Sequence, residues 1–354
     1  MNRKFLPLLL LCLAFCAGTT RAAFINGQNY VPLADWAGAF GFKIIWPAHN
    51  EVVLTNRTSR LVFGVDSAQA EINGVNVRLS FPAAKDKYGA LIAQFDLDTA
   101  IRPLLSPSHY VDSKKITTIC LDPGHGGKDS GNRVGFHYEK NYTLPLAVEL
   151  RDQLKKLGFN VVLTRSADTF VDLPVRPAIA NKAGADLFVS LHFNATEYEK
   201  NAVSGPETYC ITPVGAASSN AQGEGGDYGA TPANRFGDKS LLLAYQMEKS
   251  LVQNLGANDR AVRRARFAVL RDAAMPAILI EGGYMTNPTE SKKIYDAAYR
   301  KQMASAIVKG ILNYLKLTAP PASAVQPATN RPAIKIPKTV SSGTNKISTV
   351  KHSP

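Results

Sequence analysis

Ile116-Thr117-Thr118-Ile119-Cys120-Leu121 runs directly into Asp122-Pro123-Gly124-His125-Gly126-Gly127. A β-rich apolar run that ends in a proline and three glycines places one imidazole at the carboxyl end of a strand. Glycine permits the tight backbone and leaves room beside the ring. In open α/β sheets ligands sit at that end of the strands. By itself the turn is also an ordinary strand-to-helix junction with an incidental histidine, so its meaning depends on what the rest of the chain brings to the same edge.

Downstream of this turn, strand patterns alternate with helical ones. Leu144, Ala147, Val148, Leu150 and Leu154 recur at helical spacing over residues 143–157, stopped by Gly158, with Pro145 expected in the first turn. Strands are expected at 160–164, 187–192, 207–211, 267–270 and 277–282, and helices at 177–183, 239–255 and 289–315. This alternation predicts an α/β domain, a doubly wound and mostly parallel sheet flanked by helices, over residues 116–318. The stretch 212–238 is rich in Gly, Ala, Ser and Asn and has no periodicity, as expected of either a functional lid or a tolerated insertion.

The chain has six histidines, and His125 and His192 fall at the carboxyl ends of expected parallel strands. Glu139 follows the glycine turn just before the first helix, on the same edge. Two imidazoles and one carboxylate form a common catalytic zinc shell with a fourth position for water. Glu281, in Ile278-Leu279-Ile280-Glu281-Gly282-Gly283-Tyr284, ends another apolar strand at that rim, where a general base is needed. Each residue also has a plain reading. Glu139 suits a helix start, His192 a satisfied core position, and Glu281 an ion pair. His137 competes with Glu139 for the third ligand position. Asn194 fits loop support or substrate contact, and Arg165 and Arg176 fit structural ion pairs.

Residues 116–315 resemble the zinc-dependent N-acetylmuramoyl-L-alanine amidases of the Amidase_3 family. The matching stretches are 119–127, Glu139-Lys140-Asn141, Leu163-Thr164-Arg165, 185–195, Gly205-Pro206-Glu207-Thr208-Tyr209, Val269-Leu270-Arg271 and 275–287, in family order. The resemblance implies one Zn2+ held by His125, Glu139 and His192, with Glu281 as the catalytic glutamate. It implies a peptidoglycan substrate, cut between N-acetylmuramic acid and L-alanine. A protein activator also fits such an enzyme, and the 212–238 stretch sits where some relatives carry a regulatory segment, although it lacks a helical pattern. The competing classes are a non-catalytic peptidoglycan-binding protein and a zinc peptidase acting within the stem peptide.

Upstream, residues 23–106 read as a small β-rich α+β domain with two short helices, including an Asn-Gly hairpin at Asn73-Gly74. Tyr30-Val31-Pro32-Leu33, Gly41-Phe42-Lys43-Ile44-Ile45-Trp46 and Ile72-Asn73-Gly74 resemble the envelope-associated domain first described at the N-terminus of copper amine oxidases. That resemblance implies a fold and a role in cell-wall attachment, not a chemistry. Residues 107–115 read as a linker.

Residues 1–22 have a basic start, an apolar run from Phe5 to Phe15 and small residues before Ala22, the pattern of a cleaved signal peptide. The protein is therefore expected to be exported, to the periplasm or to the extracellular cell wall. Of the 354 residues' net charge of +13, three charges leave with this segment. Five of the remaining ten lie in the tail 319–354, which has no acid, cannot build a core, and suits contact with an anionic envelope polymer. No nucleic acid partner is expected. Cys120 and Cys210 remain after cleavage and read most simply as two buried thiols.

Overall fold

A computed structural model describes residues 22–107, 115–220 and 229–318. Residues 1–21 of the expected signal peptide, most of the linker, the middle of the 212–238 stretch and the basic tail lie outside them. The N-terminal segment begins with β1 (Ala23–Ile25) and β2 (Gln28–Pro32), a hairpin about Asn26-Gly27. Then come α1 (Leu33–Ala39), β3 (Lys43–Ala48), β4 (Glu51–Thr55), β5 (Arg60–Gly64), β6 (Gln69–Ile72), β7 (Val75–Arg78), β8 (Ala84–Asp86) and β9 (Gly89–Ala93). A helical stretch closes the segment: α2 (Gln94–Asp96), a π turn (Leu97–Ile101) and α3 (Arg102–Leu105).

The second segment contains β10 (Thr118–Pro123), a small hairpin of β11 (Arg133–Val134) and β12 (His137–Tyr138), α4 (Lys140–Lys156), β13 (Asn160–Leu163), α5 (Val175–Lys182), β14 (Leu187–Asn194) and β15 (Glu207–Cys210). A short 3-10 turn (Pro232–Phe236) leads into α6 (Gly237–Leu255), β16 (Val262–Arg264), α7 (Ala268–Arg271), β17 (Ala277–Tyr284), α8 (Pro288–Tyr295) and α9 (Ala297–Thr318). No helix among the described residues is long and apolar enough to cross a membrane.

β10 lies between β13 and β14, parallel to both, and β14 pairs in parallel with β17. β15 runs antiparallel to β17, and β16 parallel to β15. Both faces of this sheet are covered, which is why its strands are nearly continuous apolar runs. Ile119, Leu121, Val189, Leu191, Ile278 and Ile280 pack with Leu146, Leu150, Met303 and Ile307 from α4 and α9. Cys120, Phe188 and Leu279 face the other way, onto Ala180, Val269 and Leu270 from α5 and α7. Cys120 and Cys210 are both free and buried, and they belong to these opposite cores. Burial pushes the Cys120 thiol up to about 12.

The two segments share one sheet. Val262 of β16 pairs with Val77 of β7, so the order is β13-β10-β14-β17-β15-β16-β7-β6-β5-β4-β3. Around that pair, the Asn76 N–H donates to Asp259 Oδ2 (2.7 Å), Tyr245 Oη to the Ile72 carbonyl (2.8 Å) and Arg264 Nη2 to the Thr99 carbonyl (2.6 Å).

Three expected elements come out differently. The apolar run 267–270 is not a strand but the single helical turn α7, closed by Leu270 N–H on the Phe267 carbonyl, with Val269 and Leu270 buried; a run this short cannot be assigned by periodicity. The expected helix 289–315 is two helices. Asp296 is extended (ψ 127°) and its Oδ1 accepts from Ala298 N–H (2.9 Å), so it interrupts one helix and begins the next. α4 starts three residues before the expected Thr143, which moves Pro145 into the second turn.

Candidate metal centre and cleft

β10 ends at Pro123, and Gly124 N–H still bonds across to the Leu191 carbonyl (3.0 Å). The chain then leaves the sheet through His125 in the left-handed region (φ +59°). Two buried arginines hold the turn by its carbonyls. Arg165 donates to Pro123 and Gly124 (both 2.9 Å) and to Thr143 Oγ1 (3.0 Å). Arg176 donates to Pro123 and His125 (both 3.0 Å) and pairs with Asp122 at 2.7 Å, the two side chains only 1% and 0% exposed. The structural role expected for both thus holds, although Arg165 works through carbonyls rather than a carboxylate. With its carbonyls turned inward, the loop presents the His125 ring to the opposite side.

There His125 meets Glu139 and His192. Glu139 immediately precedes α4 and is buried. Its Oε2 accepts from the Asn132 N–H (2.9 Å) and lies 3.0 Å from His125 Nε2. Its Oε1 accepts from the Phe193 N–H (3.0 Å) and lies 2.9 Å from His192 Nδ1. One donor atom from each of the three residues lies within 4.8 Å of the others. Burial alone would raise the Glu139 carboxyl, but hydrogen bonding and charge from the two imidazoles outweigh it and hold the group well below the usual carboxylate range.

Two glycines make this approach feasible. A Cβ on Gly124 would lie 2.2 Å from the His192 ring, and one on Gly131 2.4 Å from the His125 ring and 2.6 Å from Glu139 Oε2. His137 is elsewhere: its exposed ring stacks on Tyr295 (centroids 3.8 Å apart) and bonds the Tyr142 hydroxyl.

Asp129 is a participant the sequence reading missed. Its Oδ2 lies 2.9 Å from His125 Nδ1, and its Oδ1 accepts from Gly131 N–H (3.0 Å). Burial opposes its ionisation, but these hydrogen bonds hold its carboxyl below the usual range. A carboxylate on the outer nitrogen of a metal-facing histidine fixes tautomer and ring orientation. Its only trace in the sequence is an acid four residues after the histidine of a glycine turn.

His192, Glu281 and Glu207 are register partners on the adjacent strands β14, β17 and β15, so they form a row across the sheet. Glu281 Oε2 is buried and has no hydrogen-bond partner among the described residues. Burial first, then the nearby Glu139 and Glu207 charges, push its carboxyl well above the ordinary range. It opens on a cleft of about 470 Å³ lined also by Asn194, Glu207, Arg260, Arg263 and Tyr284.

The sequence profile of the Amidase_3 family, N-acetylmuramoyl-L-alanine amidase, matches residues 119–313. The chain belongs to this family. The Amidase_3 region includes the whole row and the His125–Glu139–His192 group. The chain is 36% identical over 221 residues to N-acetylmuramoyl-L-alanine amidase AmiC of Neisseria meningitidis serogroup B, covering 56% of this chain and 52% of that one. It is 34% identical over 226 residues to N-acetylmuramoyl-L-alanine amidase AmiA of Escherichia coli K12, covering 55% and 75%. Among solved structures it is similar to N-acetylmuramoyl-L-alanine amidase AmiC2 of Nostoc punctiforme, with 36% identity, 56% of this chain and 97% of that chain covered, and a TM-score of 0.48. The chain thus spans about half the length of the Neisseria relative.

Proposed function

We propose that this Amidase_3 protein is a zinc-dependent N-acetylmuramoyl-L-alanine amidase. It hydrolyses the amide between the lactyl group of N-acetylmuramic acid and L-alanine in peptidoglycan. The observation that carries the reading is the convergence of His125, Glu139 and His192 beside Glu281, a carboxylate with a buried oxygen that no group among the described residues satisfies. Two nitrogens and one carboxylate oxygen are the donor set zinc takes at catalytic sites, and Gly124 and Gly131 leave the space in which the three side chains meet. When bound, zinc supplies Lewis-acid polarisation of the scissile carbonyl and lowers the pKa of the attacking water.

The protein's own part follows from placement. Asp129 holds the His125 ring with its inner nitrogen toward Glu139, and Glu139 is pinned by two backbone N–H groups. Glu281 takes a proton from water as the oxygen adds to the carbonyl carbon. It returns that proton to nitrogen as the C–N bond breaks and L-alanine leaves as a free amine. Burial raises its proton affinity above that of a free carboxylate, so a proton taken from water is held until the nitrogen receives it.

Incubation of purified muropeptides with the zinc-loaded protein tests the reading. Mass spectrometry should detect a peptide with a free L-alanine amino terminus, lost with chelator and restored by zinc. Cuts inside the peptide, or none, overturn it. Zinc content should fall in Glu139→Ala and stay intact in His137→Ala; the reverse would make His137 the third ligand. The signal-like N-terminus supports export to the periplasm or cell wall, and the basic tail supports contact with an anionic polymer there.

A further inference from the structure

Glu207 is buried, 2% exposed, yet five donors reach it. Oε2 accepts from Asn194 Nδ2 (3.3 Å) and Tyr209 Oη (2.8 Å); Oε1 accepts from Tyr284 Oη (2.7 Å) and Arg260 Nε (2.9 Å) and lies 3.2 Å from Arg263 Nη2. A carboxylate offers about four lone-pair positions, so Glu207 is saturated. One arginine would neutralise it, but two are present.

Both arginines line the cleft that Glu281 opens on, with side chains 29% and 24% exposed. Arg260 lies over the Tyr284 ring, 5.1 Å from its centroid, and anchors through Nε, so its terminal nitrogens have no hydrogen-bond partner among the described residues and face the cleft. Arg263 is braced by Nε on the Arg260 carbonyl (3.0 Å). A guanidinium fixed at one edge and open at the other is the geometry that grips a carboxylate.

We propose that Arg260 and Arg263 form a carboxylate-binding subsite for the peptide side of the substrate, set on Glu207 one strand from Glu281. This rests on the amidase reading and names the part of the substrate the cleft selects. On the departing side of the scissile amide, stem peptides carry as second residue a D-glutamate linked through its γ-carboxyl. Its α-carboxylate is then either free or amidated. The subsite prefers the free carboxylate, because an amide oxygen accepts with less charge and its NH2 group faces donors.

The test measures binding by calorimetry, separately from hydrolysis. The probes are L-Ala-γ-D-Glu-L-Lys and the same tripeptide with the α-carboxamide at its second residue, each titrated into the zinc-loaded protein. The carboxylate peptide should bind about tenfold more tightly, and Arg263→Gln should erase the difference by weakening that peptide alone. Arg263→Lys, which keeps the charge but not the fork, should retain part of the preference. Melting curves check that each variant is folded, and Tyr284→Phe, which removes one Glu207 donor, reports on the same subsite if Arg263→Gln does not fold. Equal affinities for the two peptides, or an equal loss of both in a folded variant, overturn the subsite. A binding preference without any hydrolysis of muropeptides supports the subsite and counts against the amidase reading instead.

Discussion

One sheet runs through the molecule, but its two halves differ in what they gather. In β13-β10-β14-β17 every neighbouring pair is parallel, and the carboxyl ends of β10, β14 and β17 deliver His125, His192 and Glu281 to one edge. In β7-β6-β5-β4-β3 every pair is antiparallel. Successive strands there end on opposite edges, and the one group of three metal-competent side chains among the described residues is His125–Glu139–His192. Parallel strands need crossovers, and the crossovers return every strand to the same starting edge, so loops with chemical side chains converge. A meander built of tight turns has no such edge. Its apolar residues, Val52, Leu61, Phe63 and Ile72 among them, extend the core that lies under α6 and α9.

If this contrast is right, substitutions should separate by half and by depth. The largest effect is expected from Glu281→Gln, which keeps shape but removes the proposed proton acceptor. Turnover should fall about a thousandfold with zinc content unchanged; a loss below tenfold in a rate assay would remove Glu281 from the chemistry. Next is Arg176→Leu, which strands the buried Asp122 carboxylate under the His125 turn. Unfolding in denaturant should show a loss of about 3–5 kcal/mol, and an unchanged midpoint would mean the turn is held by the backbone alone.

A smaller effect belongs to Asp129→Asn. The ring of His125 loses its anionic partner, so zinc affinity measured by competition should weaken roughly 10- to 100-fold without loss of fold. Wild-type affinity would make the contact incidental.

The smallest effect belongs to Glu248, a buried neighbour of Asp259, which accepts from Asn76 at the seam between the halves. Glu248 of α6 accepts from Thr208 Oγ1 (2.7 Å), and its other oxygen is buried without a hydrogen-bond partner among the described residues. Burial pushes its carboxyl well above 4.5. Below that value both folded and unfolded chains hold the proton, and the stabilisation is complete. As pH rises the unfolded chain ionises first, and stability drains away up to the folded pKa. Glu248→Gln has no such loss, so it should gain about 1 kcal/mol near pH 8 and match the wild type near pH 4. A gain at low pH instead would reverse the sign of the coupling.

Much of the edge chemistry was legible in the sequence because strand ends and glycine turns are local patterns. His125, His192 and Glu281 each close an apolar run, and Glu139 sits between a glycine turn and a helix start. Asp129 escaped because it acts through the outer nitrogen of His125 and has no spacing of its own that distinguishes it from a turn acid. Arg260 and Arg263 escaped for a different reason. The three-residue strand that holds Arg263 is too short to declare itself and becomes a strand only by pairing with β15 and, at Val262, with Val77.

The sequence by itself determined the order of elements in the second segment, apart from the β11–β12 hairpin, α7, β16 and the break at Asp296, and the edge to which its histidines and glutamates belong. Periodicity and turn chemistry act over a few residues and need no partner. Only the tertiary structure decided that Glu139 rather than His137 lies between the imidazoles, that Glu207 binds two arginines, and that the N-terminal strands extend the same sheet. Those outcomes depend on contacts between residues from 14 to 185 positions apart, and no local pattern records which side chain outside its own element fills a given space.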